Sequence, residues 1–196
     1  MKTLFNTLFC IVSLLYSAHS IAALVEINVD NDEVLTGQEI NVTITGSNFG
    51  AFENFDLFSF DVILDANIFQ LNESSISSDF NLFDPFFSVG LSVVQNSNVI
   101  NFTFIDFFPF DPSFGEFNIA SFSLTALMLG ESDNFGYSAT NIDQGFFPPL
   151  SIFPINVTSN ANTDLLRVVP PSQVSSPTVI ILLLSGLIAL WFQRRC

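Results

Sequence analysis

The stretch that decides the fold is Ile40-Asn41-Val42-Thr43-Ile44-Thr45, in which apolar and polar residues alternate strictly. Successive side chains of a β-strand point to opposite faces, so this alternation predicts a strand with one buried face and one solvated face. The same pattern recurs in residues 58–64 and in residues 100–104. β-Branched and aromatic residues, which favour strands, occupy most of the apolar positions. The sequence therefore predicts a protein built from β-sheet.

Shorter segments continue this pattern along the chain. Further strands are predicted at residues 25–29, 89–94, 117–127 and 136–140, and a closing strand at residues 151–157. Glycines and turns rich in Asn or Asp separate these segments, and only the two chain ends have a helical character. Short strands joined by turns predict an all-β fold, a β-sandwich of about nine strands, with a signal helix before it and a hydrophobic helix after it.

Phenylalanine dominates the predicted core, because the chain has 25 Phe but only 2 Tyr and 1 Trp. Its two cysteines, Cys10 and Cys196, lie near the chain ends. Residues 23–158, which we predict to form the sandwich, thus contain no disulfide and must fold on their apolar core alone. A segment of this length is long enough to do so as one domain.

Residues 1–22 have the organisation of a secretory signal peptide. Lys2 supplies a positive charge, residues 4–16 are mostly apolar, and Ser20-Ile21-Ala22 has the small-x-small pattern that signal peptidase accepts. We predict cleavage after Ala22, with cleavage after Ala23 as the alternative. An uncleaved membrane anchor is the other interpretation of this segment.

The C-terminal region has three predicted parts. Residues 159–177 read as a flexible linker that ends in the motif Val174-Ser175-Ser176-Pro177, and residues 178–196 hold an apolar run followed by Arg194 and Arg195. We expect the apolar run to form a helix that enters a membrane, with the two arginines on the cytoplasmic side. The apolar residues 179–192 would span only about 21 Å, less than the ~30 Å hydrocarbon layer. We therefore expect an anchor that is removed after export, with a permanent anchor or a buried core helix as alternatives.

The charge of the exported part excludes two classes of partner. All 19 acidic residues lie between Glu26 and Asp164, and the only basic residue between Ala23 and Gln193 is Arg167. The net formal charge of this region is therefore 1 − 19 = −18. Such a surface repels nucleic acid and anionic lipid headgroups, so neither is expected to bind the domain.

The residue types of the mature domain argue against an enzyme. The single histidine, His19, lies in the predicted signal peptide, and residues 23–193 contain no Lys and no Cys. Most nucleophile–base pairs and His- or Cys-ligated zinc sites are thereby excluded. A pair of carboxylates acting as a glycosidase remains the catalytic alternative.

One candidate binding site is aromatic. Residues 106–116 contain two prolines at 109 and 112 and are predicted to form a loop that carries Phe107, Phe108, Phe110 and Phe114. Exposed aromatic side chains of this kind stack on sugar rings or dock a protein partner. The alternative is a loop that folds back over the edge of the sandwich and covers it with these rings.

A second candidate is the acidic turn that contains Asp30, Asp32 and Glu33. Carboxylate oxygens are the ligands that calcium prefers, so calcium is the one cofactor considered. The turn lacks the glycine and the distant glutamate of an EF-hand loop, and a solvated turn is the alternative interpretation.

Three segments together resemble a cohesin-type domain. They are Leu35-Thr36-Gly37-Gln38-Glu39 before a strand, Phe58-Ser59-Phe60-Asp61-Val62 within one, and residues 117–124 ahead of Gly130. The resemblance covers about residues 24–158 and implies a nine-stranded jelly-roll sandwich, related in fold to cellulose-binding modules. Cellulosomal cohesins bind dockerins, but no dockerin-contacting residue is carried over to this sequence.

The tail resembles the PEP-CTERM sorting signals of Gram-negative bacteria that make exopolysaccharide. Val174 and Pro177 match the outer positions of the motif, while Ser175 and Ser176 replace its Pro-Glu pair. The resemblance implies a precursor anchored in the inner membrane, a sorting protease of the exosortase type, and delivery to the cell surface or extracellular matrix.

The expected function combines these inferences. The chain is predicted to be an exported, non-enzymatic binding module of the cell surface or extracellular matrix, with a polysaccharide or a surface protein as its ligand. A structural component of the exopolysaccharide matrix without a specific ligand is the second hypothesis. A carboxylate-based glycosidase is the third.

Overall fold

The computed structural model describes residues 23–50, 53–111, 115–138, 145–150, 153 and 155–171. The predicted signal peptide, Phe114, the sorting motif at residues 174–177 and the apolar tail with Arg194 and Arg195 lie outside these ranges. Among the described residues, no helix is long and apolar enough to cross a membrane.

The described residues form thirteen β-strands. In chain order they are β1 (Ala23–Val29), β2 (Glu33–Leu35), β3 (Glu39–Ser47), β4 (Phe55–Ile63), β5 (Phe69–Ser77), β6 (Gly90–Asn96), β7 (Val99–Phe110), β8 (Phe117–Ala126), β9 (Gly130–Ser132), β10 (Gly136–Tyr137), β11 (Phe146–Phe147), β12 (Val157–Ala161) and β13 (Leu166–Val169). The predicted all-β class is confirmed, and the number of strands exceeds the predicted nine because several of them have only two or three residues.

Two sheets pack face to face as a sandwich. Sheet 1 has the strand order β12-β1-β3-β8-β5, and sheet 2 has the order β10-β4-β7-β6, with β11 also paired with β4. Neighbouring strands are antiparallel in both sheets, except that β12 runs parallel to β1. The alternation seen in the sequence explains this arrangement, since Ile40, Val42 and Ile44 are completely buried between the sheets.

Phenylalanine rings fill much of the space between the two sheets. Phe58 and Phe146 are completely buried, and their ring centroids lie 5.0 Å apart. Phe60 stacks on Phe102 at 4.9 Å, across the strand pair β4 and β7. Burying one such side chain contributes roughly 1.5–3 kcal/mol to folding, and a favourable ring pair adds about 0.5–1.5 kcal/mol. The core therefore needs no disulfide.

A third sheet corrects the predicted end of the domain. β13 lies between β2 and β9, and Leu166 and Val168 on it are buried. The sandwich thus continues beyond residue 158, and residues 159–169 are not the flexible linker that the sequence predicts. On β13 the partly exposed side chain of Arg167 also forms ion pairs with Glu33 at 3.3 Å and Glu131 at 3.1 Å, which add little to stability.

The predicted closing strand at residues 151–157 is also wrong. The strand β12 begins at Val157, where the prediction ends, and Phe153 is 74% exposed. Alternation assigns Phe153 and Ile155 to one buried face, but only Ile155 is buried. The strand β5, by contrast, is not predicted, because its second half is a polar run without alternation.

Candidate binding surface

A large bulge in β7 interrupts its pairing with β4. Phe55 pairs with Phe110 and Leu57 pairs with Ile105, so one residue of β4 lies opposite residues 106–109 of β7. Extra residues on one strand have no partners in the ladder and project from the sheet. The predicted loop at residues 106–116 therefore begins later than expected, because residues 106–110 still belong to β7.

The bulge presents two phenylalanines to solvent. Phe107 is 74% exposed and Phe108 is 80% exposed. The carboxylate of Asp106 accepts a hydrogen bond from the backbone N–H of Phe108 at 3.2 Å, which supports the turned backbone. Pro109 has no N–H to donate to a ladder, and a bulge is one of the few places in a sheet that accept it.

A second pair of exposed phenylalanines lies in the loop before β6. Phe86 is 85% exposed, Phe87 is 60% exposed, and their ring centroids lie 4.8 Å apart in an edge-on arrangement. The carboxylate of Asp84 accepts hydrogen bonds from the backbone N–H groups of both, at 2.7 Å and 3.4 Å. Each pair of rings thus follows an aspartate that hydrogen-bonds the backbone carrying it.

The two pairs lie at the same end of sheet 2. Gly90, the first residue of β6, pairs with Ile105 on β7. Residues 84–87 come shortly before the start of β6. Residues 106–109 come directly after Ile105 on β7, which runs antiparallel to β6. Both segments therefore emerge from one end of the sandwich. We call the set of four exposed side chains there the aromatic rim; its members are Phe86, Phe87, Phe107 and Phe108.

The other two predicted aromatic residues do not join this surface. The ring of Phe110 is only half-buried but packs against Phe80 at 4.6 Å and Phe117 at 4.9 Å, so it extends the core. Phe114 lies outside the described residues. The prediction of a single exposed cluster at residues 107–114 therefore identifies two rim residues and one core residue.

An acidic groove of about 470 Å³ adjoins the rim. Its floor is formed by core rings such as Phe80 and Phe104, and the exposed ring of Phe108 forms part of its wall. Asp79, Asp106, Asp111 and Glu116 place carboxylates along it. One oxygen of Asp79 accepts a hydrogen bond from the backbone N–H of Asn118 at 2.6 Å, which ties this wall to β8.

The predicted calcium turn is not assembled as a metal site. The two carboxylate oxygens of Asp30 accept hydrogen bonds from the backbone N–H of Asn41 at 2.9 Å and from its side-chain amide at 2.7 Å. Glu33 pairs with Arg167, and Asp32 accepts a hydrogen bond from the backbone N–H of Arg167 through its carbonyl oxygen. Among the described residues, no three His, Cys, Asp or Glu side chains are placed to hold one metal ion.

The one strongly perturbed titrating group in the described part of the chain lies away from the rim, at the edge of the core. Tyr137 on β10 packs edge-on against Phe60 at 5.8 Å, and its hydroxyl has no hydrogen-bond partner among the described residues. Burial, reinforced by the negative charge of Glu26, raises the pKa of Tyr137 far above its usual range. This partly buried tyrosine is therefore neutral at pH 7.

Sequence reasoning missed half of the aromatic rim. Asp84-Pro85-Phe86-Phe87 has the same residue types as Asp106-Phe107-Phe108-Pro109, namely one aspartate, one proline and two adjacent phenylalanines. A comparison of these two segments would have identified the second pair. Their position at one end of the sandwich depends on the register of β6 and β7, which the sequence does not specify directly.

Comparisons with known proteins support the fold. No protein-family model matches the sequence, and no curated protein matches it. In structure, the chain is similar to the cohesin CaCohA2 of Clostridium acetobutylicum, with 14% identity, a TM-score of 0.54, and coverage of 80% of this chain and 94% of that one. It is also similar to the third cohesin ScaC of Acetivibrio cellulolyticus, solved in complex with the ScaB dockerin, with 16% identity, a TM-score of 0.53, and coverage of 75% and 99%. The predicted cohesin-like sandwich is thus confirmed as a fold.

Proposed function

We propose that this chain is a non-catalytic module that binds a protein partner through the aromatic rim. The observation that carries the proposal is the exposure of Phe86, Phe87, Phe107 and Phe108 in a chain that buries most of its other described phenylalanines. Clustered apolar side chains on a soluble surface mark contact sites, because they gain free energy only when another molecule covers them.

The chemistry of the rim favours a protein over a polysaccharide. Phenylalanine has no polar edge with which to hydrogen-bond a sugar, whereas aromatic side chains are enriched at the centre of protein interfaces. The cohesin ScaC of Acetivibrio cellulolyticus, which has the same fold, was solved with a dockerin bound. Two alternatives are that the module binds a polysaccharide, or that it is a matrix component without a specific ligand.

The proposed setting is the outside of a Gram-negative cell. The signal peptide at residues 1–22 directs export, and the tail at residues 178–196 holds the precursor in the inner membrane. A protease of the exosortase type acts near Val174-Ser175-Ser176-Pro177 and releases the module to the surface or matrix. This proposal is supported by the order of the sequence features alone.

The test compares a rim variant with a control variant that loses an exposed apolar side chain elsewhere. Met128 is 53% exposed and follows β8, where Ala126 pairs with Phe69 at the start of β5. The start of β5, and with it Met128, lies at the end of the sandwich where β4 finishes. The rim lies at the other end, where β4 begins. The matched variants are Phe86→Ser/Phe107→Ser and Met128→Ser.

The full chain is immobilised in a mild detergent and incubated with the surface proteins and the exopolysaccharide of the source cells. We expect the wild-type chain and Met128→Ser to retain the same protein, and the rim variant to retain at least about tenfold less of it, as is typical of interface hot spots. Equal retention by the rim variant would contradict the proposal. Retention of polysaccharide in place of a protein would replace it with the sugar-binding hypothesis.

A further inference from the structure

The acidic groove beside the rim combines aromatic surface with negative charge. The aromatic residues that line it include Phe80 and Phe104, which are buried, and Phe108, whose ring is 80% exposed and belongs to the rim. The carboxylates of Asp106 and Glu116 lie along the same groove. Aromatic faces and carboxylates attract the same kind of group, since a ring face is the negative part of its quadrupole.

The domain itself does not supply a cation to this groove. Arg167 is the only basic residue between Ala23 and Gln193. Its guanidinium group is ion-paired with Glu33 and Glu131 at the third sheet. The groove is therefore negative, and a positively charged group from another molecule would gain both Coulomb attraction and contact with rings.

The spacing of the carboxylates selects the kind of cation. In the part of the chain that the structure describes, no three acidic side chains converge on a single point, as a bound divalent ion requires. The groove instead has a volume of about 470 Å³, within the range of about 300–1,000 Å³ that accommodates organic ligands. An organic cation with an apolar stem can contact the exposed ring of Phe108 and place its charged head near the carboxylates.

We propose that the acidic groove receives an arginine or lysine side chain of the protein partner. This inference rests on the proposed function, because it names the chemistry that the partner places beside the aromatic rim. Arginine is the better match of the two, since its planar guanidinium both stacks on aromatic rings and donates two parallel hydrogen bonds to a carboxylate. The negative charge of the module also accelerates the encounter with a basic surface.

The probe for this site is N-acetyl-arginine methylamide, with N-acetyl-norleucine methylamide as its uncharged counterpart. Both are titrated into the isotopically labelled full chain in a non-ionic detergent, and the backbone amide signals of Phe108 and Glu116 are followed by NMR. We expect saturable shifts with the arginine probe and none with norleucine. Binding should weaken as salt is raised from about 0.01 to about 0.15 M, because the Debye length falls from about 30 to about 8 Å.

Two isosteric changes test the carboxylates. Asp106→Asn/Glu116→Gln keeps the shape of the groove, and the amide oxygen introduced at position 106 can still accept the hydrogen bond from the backbone N–H of Phe108, so the fold is retained. We expect this variant to bind the arginine probe about three- to tenfold more weakly, as the loss of two partly exposed ion pairs implies. Glu73→Gln removes one charge from β5, away from the groove, and should leave binding unchanged.

The results also separate this inference from the proposed function. Equal shifts with norleucine, or unaltered arginine binding in Asp106→Asn/Glu116→Gln, would overturn the groove as a cation site even if the rim variant still fails to retain its protein. If the arginine probe binds as expected but no protein depends on the rim, the groove proposal stands as a cation site and the proposed function fails.

Discussion

The core and the aromatic rim use the same amino acid for opposite purposes. Twelve of the described phenylalanines are buried between the sheets or beside them, while the four rim phenylalanines are between 60% and 85% exposed. In the core each ring is surrounded by others, as Phe58 is by Phe60, Phe104 and Phe146. Phe86 and Phe87, by contrast, contact each other at the surface. Residue type alone therefore does not distinguish a buried ring from an exposed one.

The difference lies in the backbone that carries the rings. Core phenylalanines occupy inward positions of regular strands, so the pleat turns them toward the other sheet. Rim phenylalanines follow Asp84 and Asp106, whose carboxylates accept hydrogen bonds from the backbone N–H groups two residues on, in a loop and in a bulge. These local turns remove the rings from the alternation and expose them to solvent.

The largest effect that this comparison predicts is in the core. Phe58→Ala should lower the free energy of unfolding by about 3–5 kcal/mol, because it removes a completely buried ring and leaves a cavity among the rings packed around it. Urea denaturation of the full chain in detergent measures the change. As a control, Phe58→Leu should cost less than about half as much. A loss below about 1 kcal/mol for Phe58→Ala would show that the core rearranges around the missing ring.

Tyr137, a partly buried aromatic residue whose hydroxyl oxygen is buried, sharpens the comparison. Tyr137→Phe should raise the free energy of unfolding by about 1 kcal/mol at pH 7, since the hydroxyl of Tyr137 is desolvated without a hydrogen-bond partner among the described residues. The pKa of Tyr137 is raised in the folded state, so the tyrosine of the unfolded chain ionises first, at about pH 10. The contribution of Tyr137 to the free energy of unfolding is therefore constant below about pH 10 and falls as the pH rises further.

The free energy of unfolding of Tyr137→Phe should accordingly exceed that of the wild type by a margin that grows above about pH 10, by about 1.4 kcal/mol per pH unit. Unfolding curves of the two proteins at pH 7, 10 and 11 provide the measurement. A constant difference between them across this range would mean that Tyr137 ionises as readily in the folded protein as in the unfolded chain.

The smallest effect on stability is expected at the rim. Phe107→Ser should change the free energy of unfolding by no more than about 0.5 kcal/mol, because the side chain is 74% exposed. Thermal unfolding, followed by circular dichroism, checks this value beside wild type and Met128→Ser. A large loss of stability at Phe107 would remove the distinction between rim and core and place the bulge within the folding core.

Strict alternation made most of the sandwich predictable. Residues 40–45, 58–64 and 100–104 lie in β3, β4 and β7, or directly follow them, with the predicted faces inward. The alternation of apolar and polar residues did not predict burial correctly where a strand is buried on both faces or where an apolar side chain is exposed. In β8 consecutive residues such as Ile119 and Ala120 are both buried, and in the predicted closing strand Phe153 is exposed although Ile155 is not.

The third sheet was beyond sequence reasoning for a different reason. The strand β13 has only four residues, followed by two prolines at positions 170 and 171, and its neighbours β2 and β9 have three residues each. Segments this short carry no measurable periodicity, and composition alone resembles a linker. The aromatic rim was half predictable, since the phenylalanines at 107 and 108 were recognised, whereas the convergence of the bulge in β7 with the loop before β6 depends on strand register.

The pairing of the first strands with the last ones has a kinetic consequence. The strand β1 is completed by β12 and β2 is held by β13, and a separation of 134 residues lies between Glu33 and its partner Arg167. Contacts so distant in sequence fold slowly, because the intervening chain must be closed into a loop before they form. Until β12 and β13 have been synthesised, the edges of β1 and β2 stay open to other chains, and a chaperone that shields them would raise the yield of native protein.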